Sequence, residues 1–259
     1  FLITRPILYW DDPVVMADKS RICLRFYGDE TAAYYVAHDK KDMDSILADG
    51  ILEALTETTR VMHGHNSINY SRKFVFMNLE CNAHLQRDLQ KSPDETGHKV
   101  LLEIKQLISQ TIKDRNDRIR SGDESVGEAH IENFNKQMTE LLEKAEREAE
   151  ANDSVYSGPF ERALIARMIN YRENFFEWVE DFTLPTTNNL SERALRGVKT
   201  KMKVSGQFAS AGTADNYAAI RTYIETCRRN GINEMAALTR LCNGNPYTVE
   251  EIFSQTSQQ

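Results

Sequence analysis

Short runs of β-branched and aromatic residues, separated by turn-forming residues, dominate the first eighty positions. The runs RPILYW, SRICLRFY and TAAYYVA alternate with WDDP, MADK and YGDE, a pattern typical of three strands in an antiparallel meander. Apolar residues at near-helical spacing from Met43 to Leu55 then predict a helix that is interrupted at Asp49-Gly50. RVMHG and KFVFMN predict two further strands.

The hydrophobic pattern becomes helical from about Leu85. HKVLLEIKQLISQTIKDRNDRI and EAHIENFNKQMTELLEKAEREAEA place apolar residues every three to four positions opposite charged faces, which predicts a long helical hairpin joined near RSGDES. The next segment, SGPFERALIARMINYRENFFEWVEDF, has an aromatic and aliphatic stripe that we interpret as core.

These elements predict an α/β fold in which a mixed sheet is flanked by helices. We expect strands of the core in 1–90, a helical hairpin insertion in 91–155, and helices that complete the core in 156–259. The order strand, strand, strand, helix, strand is that of the ribonuclease-H-like fold, and other α/β and α+β folds share it.

Composition agrees with a folded chain. The 259 residues are 41% hydrophobic and 27% charged, and no apolar run approaches the ~18 residues that span a bilayer. Four cysteines without a CxxC pair favour a reducing, cytoplasmic compartment. The chain opens on Phe1 without a signal sequence, so we expect an amino-terminal region to precede it.

Charge is distributed unevenly. The net charge is −7, but residues 193–229 hold eight Lys and Arg against two acids, a local charge of +6. Such a segment is the first indication of a nucleic-acid partner.

The stretch LPTTNNLSERALRGVKTKMKVSGQF carries the candidate chemistry. Pro185 should end one helix and Asn189 begin the next, which puts Glu192 in the first turn, where the helix dipole favours a carboxylate. Asn188 and Glu192, four residues apart, can then present an amide and a carboxylate to one point.

Five cations follow this carboxylate: Arg193, Arg196, Lys199, Lys201 and Lys203. An acid followed by phosphate-binding cations fits metal-dependent chemistry on a nucleic-acid backbone, because Mg²⁺ needs carboxylates and the strand needs cations. The alternative is a capped, basic surface helix with a Glu192–Arg196 pair.

Four segments together resemble a known family. NNLSERALR, KVSGQF, AGTADNYAAIRTYIETCRRNGIN and CNAHLQRDL are similar to bacterial insertion-sequence transposases of family sixty-six, over about Ile7 to Ala237. The resemblance implies a DDE-type catalytic subunit of ribonuclease-H-like fold. In such enzymes two Asp and one Glu hold two divalent ions, Mg²⁺ or Mn²⁺, that activate the attack on a phosphodiester.

The resemblance assigns two of the three acids directly. The family's Glu corresponds to Glu192, and its first Asp corresponds to Asp11 in WDDPVV, where Pro13 replaces the family's Thr. Asp12 is a weaker candidate, because alternation along a strand points it to the other face. Without the resemblance, Asp11-Asp12-Pro13 is interpreted as a turn.

The second Asp has no carboxylate counterpart. Where the family has His-Asp-His-Trp, this chain has His63-Gly64-His65-Asn66, so Gly64 occupies the catalytic position. Asp49 in ADGIL also imitates an Asp-Gly signature, but aligning it ruins the match of HGHN and CNAH. The degenerate position predicts a transposase fold with impaired cleavage, because one shared ligand of a two-ion site is missing. Asp12, Asp49 and Glu80 are the acids that we consider as replacements.

A zinc site is an alternative use of the same region. His63, His65, Cys81 and His84 form an HxH and CxxH pattern of ligand types that zinc prefers.

The helix DNYAAIRTYIETCRRNG adds further cations. Arg221 and Arg228 are seven residues apart and share a helix face, which favours DNA contact by Arg221. Arg228 and Arg229 are also explained by the negative end of the helix dipole.

Two functions are therefore compared. One is a transposase domain that cleaves and joins insertion-element ends as a homo-oligomer, with companion transposition proteins, nucleoid association when bound and no membrane. Its metal ligands are Asp11 and Glu192, and its DNA contacts are Asn188, Asn189, Arg193, Arg196, Lys199, Lys201, Lys203 and Arg221. The other is a domesticated, non-catalytic DNA-binding protein, which Gly64 favours.

Overall fold

Six strands form one mixed sheet in the computed structural model, which describes residues 1–96 and 98–254 and leaves the side chains at 92, 95 and 96 undescribed. The strands are β1 (Ile7–Asp11), β2 (Val14–Ala17), β3 (Ser20–Gly28), β4 (Ala33–His38), β5 (Arg60–His63) and β6 (Met77–Glu80). Antiparallel pairs join β3 to β1, β2 and β4, β5 runs parallel to β1, and β6 follows β5 at the edge. The predicted α/β fold with a mixed sheet is confirmed.

Helices make up most of the remaining described chain. They are α1 (Met43–Ala48), α2 (Asn82–Thr96), α3 (Val100–Ser121), α4 (Glu128–Glu150), α5 (Ser157–Asn170), α6 (Arg172–Phe176), α7 (Asn189–Ala194), α8 (Arg196–Ser205), α9 (Ala211–Arg229), α10 (Glu234–Cys242) and α11 (Val249–Ser254). Short 3₁₀ turns occur at Leu2–Thr4, Leu52–Ala54, Ser67–Tyr70 and Glu177–Val179.

The Asp-Asp-Pro segment is not a turn, which corrects the interpretation made without the resemblance. Asp11 lies opposite Phe26 and Val14 opposite Cys23, so β1 and β2 continue in one register along β3. Pro13 accepts a hydrogen bond from Leu24 at 3.1 Å but lacks the N–H that would return it, so the ladder is interrupted only locally. The turn is at Asp18-Lys19, where both residues have positive φ, as a two-residue hairpin requires.

Two other predicted elements differ from the structure. KFVFMN contributes only Met77 and Asn78 to β6, because Phe74 turns back onto the Ser71 carbonyl and Phe76 is buried in the core. The basic segment forms two helices rather than one, with Leu195 between α7 and α8. The predicted interruption at Asp49-Gly50 is present, and Gly50 has a φ of +64° there.

Apolar residues cover both faces of the sheet. On one face, Leu24 and Phe26 of β3 pack with Leu195 and Val198 at the start of α8 and with Ala214 and Ala218 of α9. On the other, Leu8, Trp10 and Tyr27 pack with Ile46 of α1 and with the loops around it. Strand alternation decides which residue enters which core.

Phe208 attaches the segment after α8 to the hairpin of β2 and β3. Its side chain is fully buried, its N–H donates to the Met16 carbonyl at 2.8 Å, and its carbonyl accepts from Asp18 at 3.0 Å. Burying a phenylalanine contributes about 1.5–3 kcal/mol, so this residue anchors the end of α8 to β2.

The chain divides into two compact units, 1–78 with 188–259, and 79–187. The second unit contains α2 to α6 and extends beyond the predicted insertion bounds of 91 and 155 on both sides. Inside it, Phe134 packs edge to face against Phe176, and the buried Arg115 donates to the carbonyls of Phe182 and Leu184. No helix of the described residues is long and apolar enough to cross a bilayer.

Candidate active site and basic surface

Asp11 lies at the end of β1, on the sheet face that α7 covers. Leu8 and Trp10 are buried on the opposite face, so alternation directs Tyr9 and Asp11 toward α7. The Asp11 carboxylate accepts the N–H of Asp12 at 2.9 Å. Burial raises the pKa of Tyr9 to about 12, the Glu30 carboxylate adds to this shift, and Tyr9 therefore stays neutral beside α7.

Asn188 holds the start of α7 against the end of β1. Its side chain is 1% exposed, and its amide donates to the Trp10 carbonyl, one residue before Asp11, at 2.9 Å. One turn later the Glu192 N–H donates to the Asn188 carbonyl at 3.1 Å. The Asn188 amide therefore acts within the fold and brings the helix of Glu192 to the strand of Asp11.

Gly64 follows β5 at the same edge of the sheet. The parallel register pairs Ile7 with Arg60 and Tyr9 with Met62. If the chains kept this register for two more positions, Gly64 would lie opposite Asp11. Neighbouring strands lie about 4.8 Å apart, so a carboxylate at 64 would be close enough to share a cation with Asp11. The assignment of Gly64 to the second catalytic position stays a prediction.

Neighbouring side chains hold the Gly64 segment. The Gly64 carbonyl accepts from Asn69 Nδ2 at 3.0 Å and lies 2.9 Å from His63 Nδ1. His63 Nε2 lies 2.7 Å from the Asn78 side-chain amide. The Asn78 atom is the amide oxygen Oδ1, so both ring nitrogens of His63 face oxygens that only accept, and any hydrogen bond here is donated by the His63 ring.

Two acids considered as replacements already have cationic partners. Asp49 is held by Arg25 at 2.5 Å, His38 at 2.6 Å and the Tyr27 hydroxyl at 2.9 Å. Asp12 pairs with Lys41 at 2.8 Å. Glu80 belongs to the 79–187 unit and is buried. Neither Asp49 nor Asp12 is therefore available to a metal without loss of an ion pair.

The donor set does not fit a two-ion centre. Of the three positions that the family resemblance predicts, Asp11 and Glu192 carry carboxylates and Gly64 does not. Within residues 1–96 and 98–254, no group of three or more His, Cys, Asp and Glu side chains could hold a metal ion. Two octahedral ions need several shared oxygen ligands, and that requirement is not met here.

The zinc alternative gains no support from this arrangement. Both ring nitrogens of His63 already have hydrogen-bond partners, Gly64 and Asn78. A zinc ligand needs one nitrogen free to bind the metal. The set of His63, His65, Cys81 and His84 stays a prediction.

The cations of α8 form an exposed row. Arg196, Lys199 and Lys203 are exposed and share one helix face, opposite the buried Val198. Over the described ranges, none of the three forms an ion pair. Lys201 points elsewhere, with its ammonium 4.8 Å from the centre of the Phe208 ring. Asn189 and Arg193 are also exposed.

Arg221 has partners inside the fold. Its guanidinium pairs with the buried Glu225 and lies 5.9 Å from the centre of the Tyr35 ring. Arg228 also pairs with Glu225, which sequence spacing did not reveal. DNA contact by Arg221 stays a prediction, and it would compete with these interactions.

The six-stranded mixed sheet with helices on its faces is consistent with a ribonuclease-H-like DDE domain. The family model of the IS66 transposases matches residues 19–216, and the chain belongs to that family. Asp11 and Arg221 lie outside the matched residues, whereas Gly64 and Glu192 lie within them. The comparisons found no significant match among curated proteins and none among solved structures.

Proposed function

We propose that this chain is a DNA-contacting transposition domain that binds DNA through α8 and has impaired metal-dependent cleavage. The exposed cationic row that follows α7, the helix of Glu192, in a chain of the IS66 transposase family, is the observation that carries the proposal. Lys199 and Lys203 are four residues apart, about 6 Å along the axis, which is comparable with the spacing of phosphates along a strand.

Impaired cleavage follows from Gly64. An active family member would hold Mg²⁺ or Mn²⁺ between three acids, and this chain has a carboxylate at two of those positions. In this proposal the DNA substrate is the ends of an insertion element. The chain acts as a homo-oligomer together with companion transposition proteins, in the cytoplasm and in association with the nucleoid.

A domesticated, non-catalytic DNA-binding protein is the second candidate. Gly64 is the observation that favours it, because loss of a catalytic acid leaves the sheet, α7 and the basic row intact. The two candidates differ in whether any cleavage remains.

A nicking assay on DNA carrying matched terminal repeats separates these candidates. We expect the unmodified chain to nick weakly or not at all in Mg²⁺ or Mn²⁺, and Gly64→Asp to gain activity that Glu192→Ala then abolishes. Gly212→Asp is the matched control, because it adds the same carboxylate in the exposed first turn of α9, where the nearest atom to a new Cβ is Ser210 Oγ at 3.9 Å. Efficient nicking by the unmodified chain, lost in Glu192→Ala, would contradict impaired cleavage.

DNA binding is tested separately by charge reversal. We expect Lys199→Glu with Lys203→Glu to weaken duplex affinity by about 100-fold and to reduce the salt slope by about two, since two phosphate contacts are lost. Lys113→Glu with Lys136→Glu changes the charge equally at exposed positions of α3 and α4. Equal losses in both pairs, measured by fluorescence anisotropy over a salt series, would mean that α8 is an ordinary solvated face.

A further inference from the structure

A second cationic feature lies at a cleft between α7 and the end of α9. The cleft encloses about 490 Å³ and is lined by Glu30, Leu190, Arg193, Ala194, Arg196, Arg228 and Arg229. The four arginines come from two segments more than thirty residues apart, so no local pattern in the sequence predicts their meeting. Lys199, Lys201 and Lys203 do not line it.

Three of the four arginines form no ion pair. Among the described residues, Arg193, Arg196 and Arg229 have no carboxylate within ion-pair distance. Arg228 is neutralised by Glu225 and by Glu234, the latter at 3.2 Å. Glu30 is exposed and forms no ion pair with these arginines in the described chain. The cleft therefore has a net positive charge.

One wall of the cleft is fixed before any ligand arrives. Arg229 donates to the carbonyls of Asp29 and Ala32, and its guanidinium lies 5.5 Å from the centre of the Phe26 ring. Arg228 is fixed by its two acids. Because these side chains are already ordered, binding an anion costs little of their conformational entropy.

The opposite wall is free to adjust. Arg196 has no hydrogen bond to another described group, and Arg193 makes one long contact, 3.4 Å from Nε to the Asn189 carbonyl. Both are exposed. A guanidinium offers a planar pair of N–H donors that matches two oxygens of a phosphate.

We propose that this four-arginine cleft is a phosphate-binding site that shares Arg196 with the cationic row of α8 and does not include Lys199 or Lys203. Arg228 and Arg229 form its preorganised wall, and Arg193 and Arg196 close on the ligand. The phosphate can belong to a DNA strand or to a small phosphate compound, and a volume of about 490 Å³ admits either. The assignment to a DNA strand rests on the proposed function, and phosphate binding itself does not.

Calorimetric titration with inorganic pyrophosphate tests the site. We expect Arg193→Gln with Arg196→Gln to weaken pyrophosphate binding by about tenfold or more, because two charge-assisted contacts are lost. Lys199→Gln with Lys203→Gln removes the same charge outside the cleft and should change the affinity by about twofold at most.

Glu30→Gln supplies a test in the opposite direction. Removing this carboxylate should tighten pyrophosphate binding about threefold, because a like charge leaves the cleft. Glu30 is exposed, so thermal melting should show a folded variant. An unchanged or weaker affinity would contradict binding of the anion beside Glu30 in this cleft.

Displacement of pyrophosphate by a short DNA duplex identifies the source of the phosphate. Competition that is lost in the cleft variant would assign the site to a strand phosphate, and absence of competition would assign it to small phosphate compounds. Pyrophosphate binding that is absent, or unchanged in Arg193→Gln with Arg196→Gln, would overturn the proposal. Failure of DNA binding alone would overturn the proposed function and leave the cleft assignment intact.

Discussion

Asp49 and Asp11 lie on opposite faces of one sheet, and their surroundings differ. Asp49 is 1% exposed in its side chain and is matched by Arg25, Tyr27 and His38. Asp11 lies at the end of β1, and Gly64, the residue that follows the neighbouring strand β5, has no carboxylate. The comparison teaches that acids surrounded by cations stabilise the fold, whereas metal chemistry needs acids gathered beside one another.

The largest expected effect is at Asp49. We expect Asp49→Ala to lower the free energy of unfolding by about 3–5 kcal/mol, because the fully buried Arg25 guanidinium would lose its counter-charge. Asp44→Ala, on the exposed side of the same helix, should change it by about 0.5 kcal/mol. Urea denaturation measures both, and similar costs would remove the contrast between the two acids.

Asn188 is expected to have the next largest effect. Asn188→Ala should cost about 1–3 kcal/mol of unfolding free energy, because the buried Trp10 carbonyl loses its donor. The exposed neighbour offers the control Asn189→Ala, with an expected change within about 0.5 kcal/mol. A neutral Asn188→Ala would show that α7 is held to β1 by apolar packing alone.

Magnesium should distinguish Gly64→Asp from the unmodified chain. If the new carboxylate shares an ion with Asp11, Mg²⁺ at about ten times its Kd should stabilise the variant by about 1.4 kcal/mol. Thermal melting with and without Mg²⁺ measures this shift, and we expect none for the unmodified chain or for Gly212→Asp. Equal stabilisation of all three would contradict the role given to position 64.

The smallest expected effect on stability is at a third acid, Asp29. Burial acts to raise its pKa, but hydrogen bonds from Thr31, Ala32 and Arg5 outweigh burial, so the pKa lies below the ordinary value of 3.8. A depressed pKa stabilises the fold above the unfolded value and loses that contribution as the pH falls through the folded value. We therefore expect Asp29→Asn to flatten the loss of stability below about pH 4. An unchanged acid profile in denaturant titrations would assign that loss to other groups.

Local patterns predicted the parts of this molecule that depend on periodicity. The strand runs and the helical arm follow from spacing, and the start of α7 at Asn189 was predicted correctly after Pro185. The Asn188 side chain does not cap that helix but donates to Trp10. Glu192 and Gly64 required the family resemblance, because a single acid or glycine carries no signature by itself.

Contacts between residues distant in the sequence determined the features that local patterns did not predict. Asp12-Pro13 has turn composition, yet the shared register with β3 keeps β1 and β2 in one line. Arg221 and Lys201 look as available as Lys199 in the sequence, but Glu225 and Phe208 engage them. Availability of a cation is set by partners distant in sequence, so composition cannot predict it.

The two attachments of the α7–α8 segment have a further consequence. Asn188 fixes its beginning to Trp10 of β1, and Phe208 fixes its end to Met16 of β2. These two strands continue in one register along β3. Met16 follows Trp10 by six positions, which span about 20 Å of extended chain. These strands therefore set the distance between Asp11 and the cations of α8. A nucleic acid bound on α8 would meet Asp11 at one fixed distance along the nucleic-acid backbone.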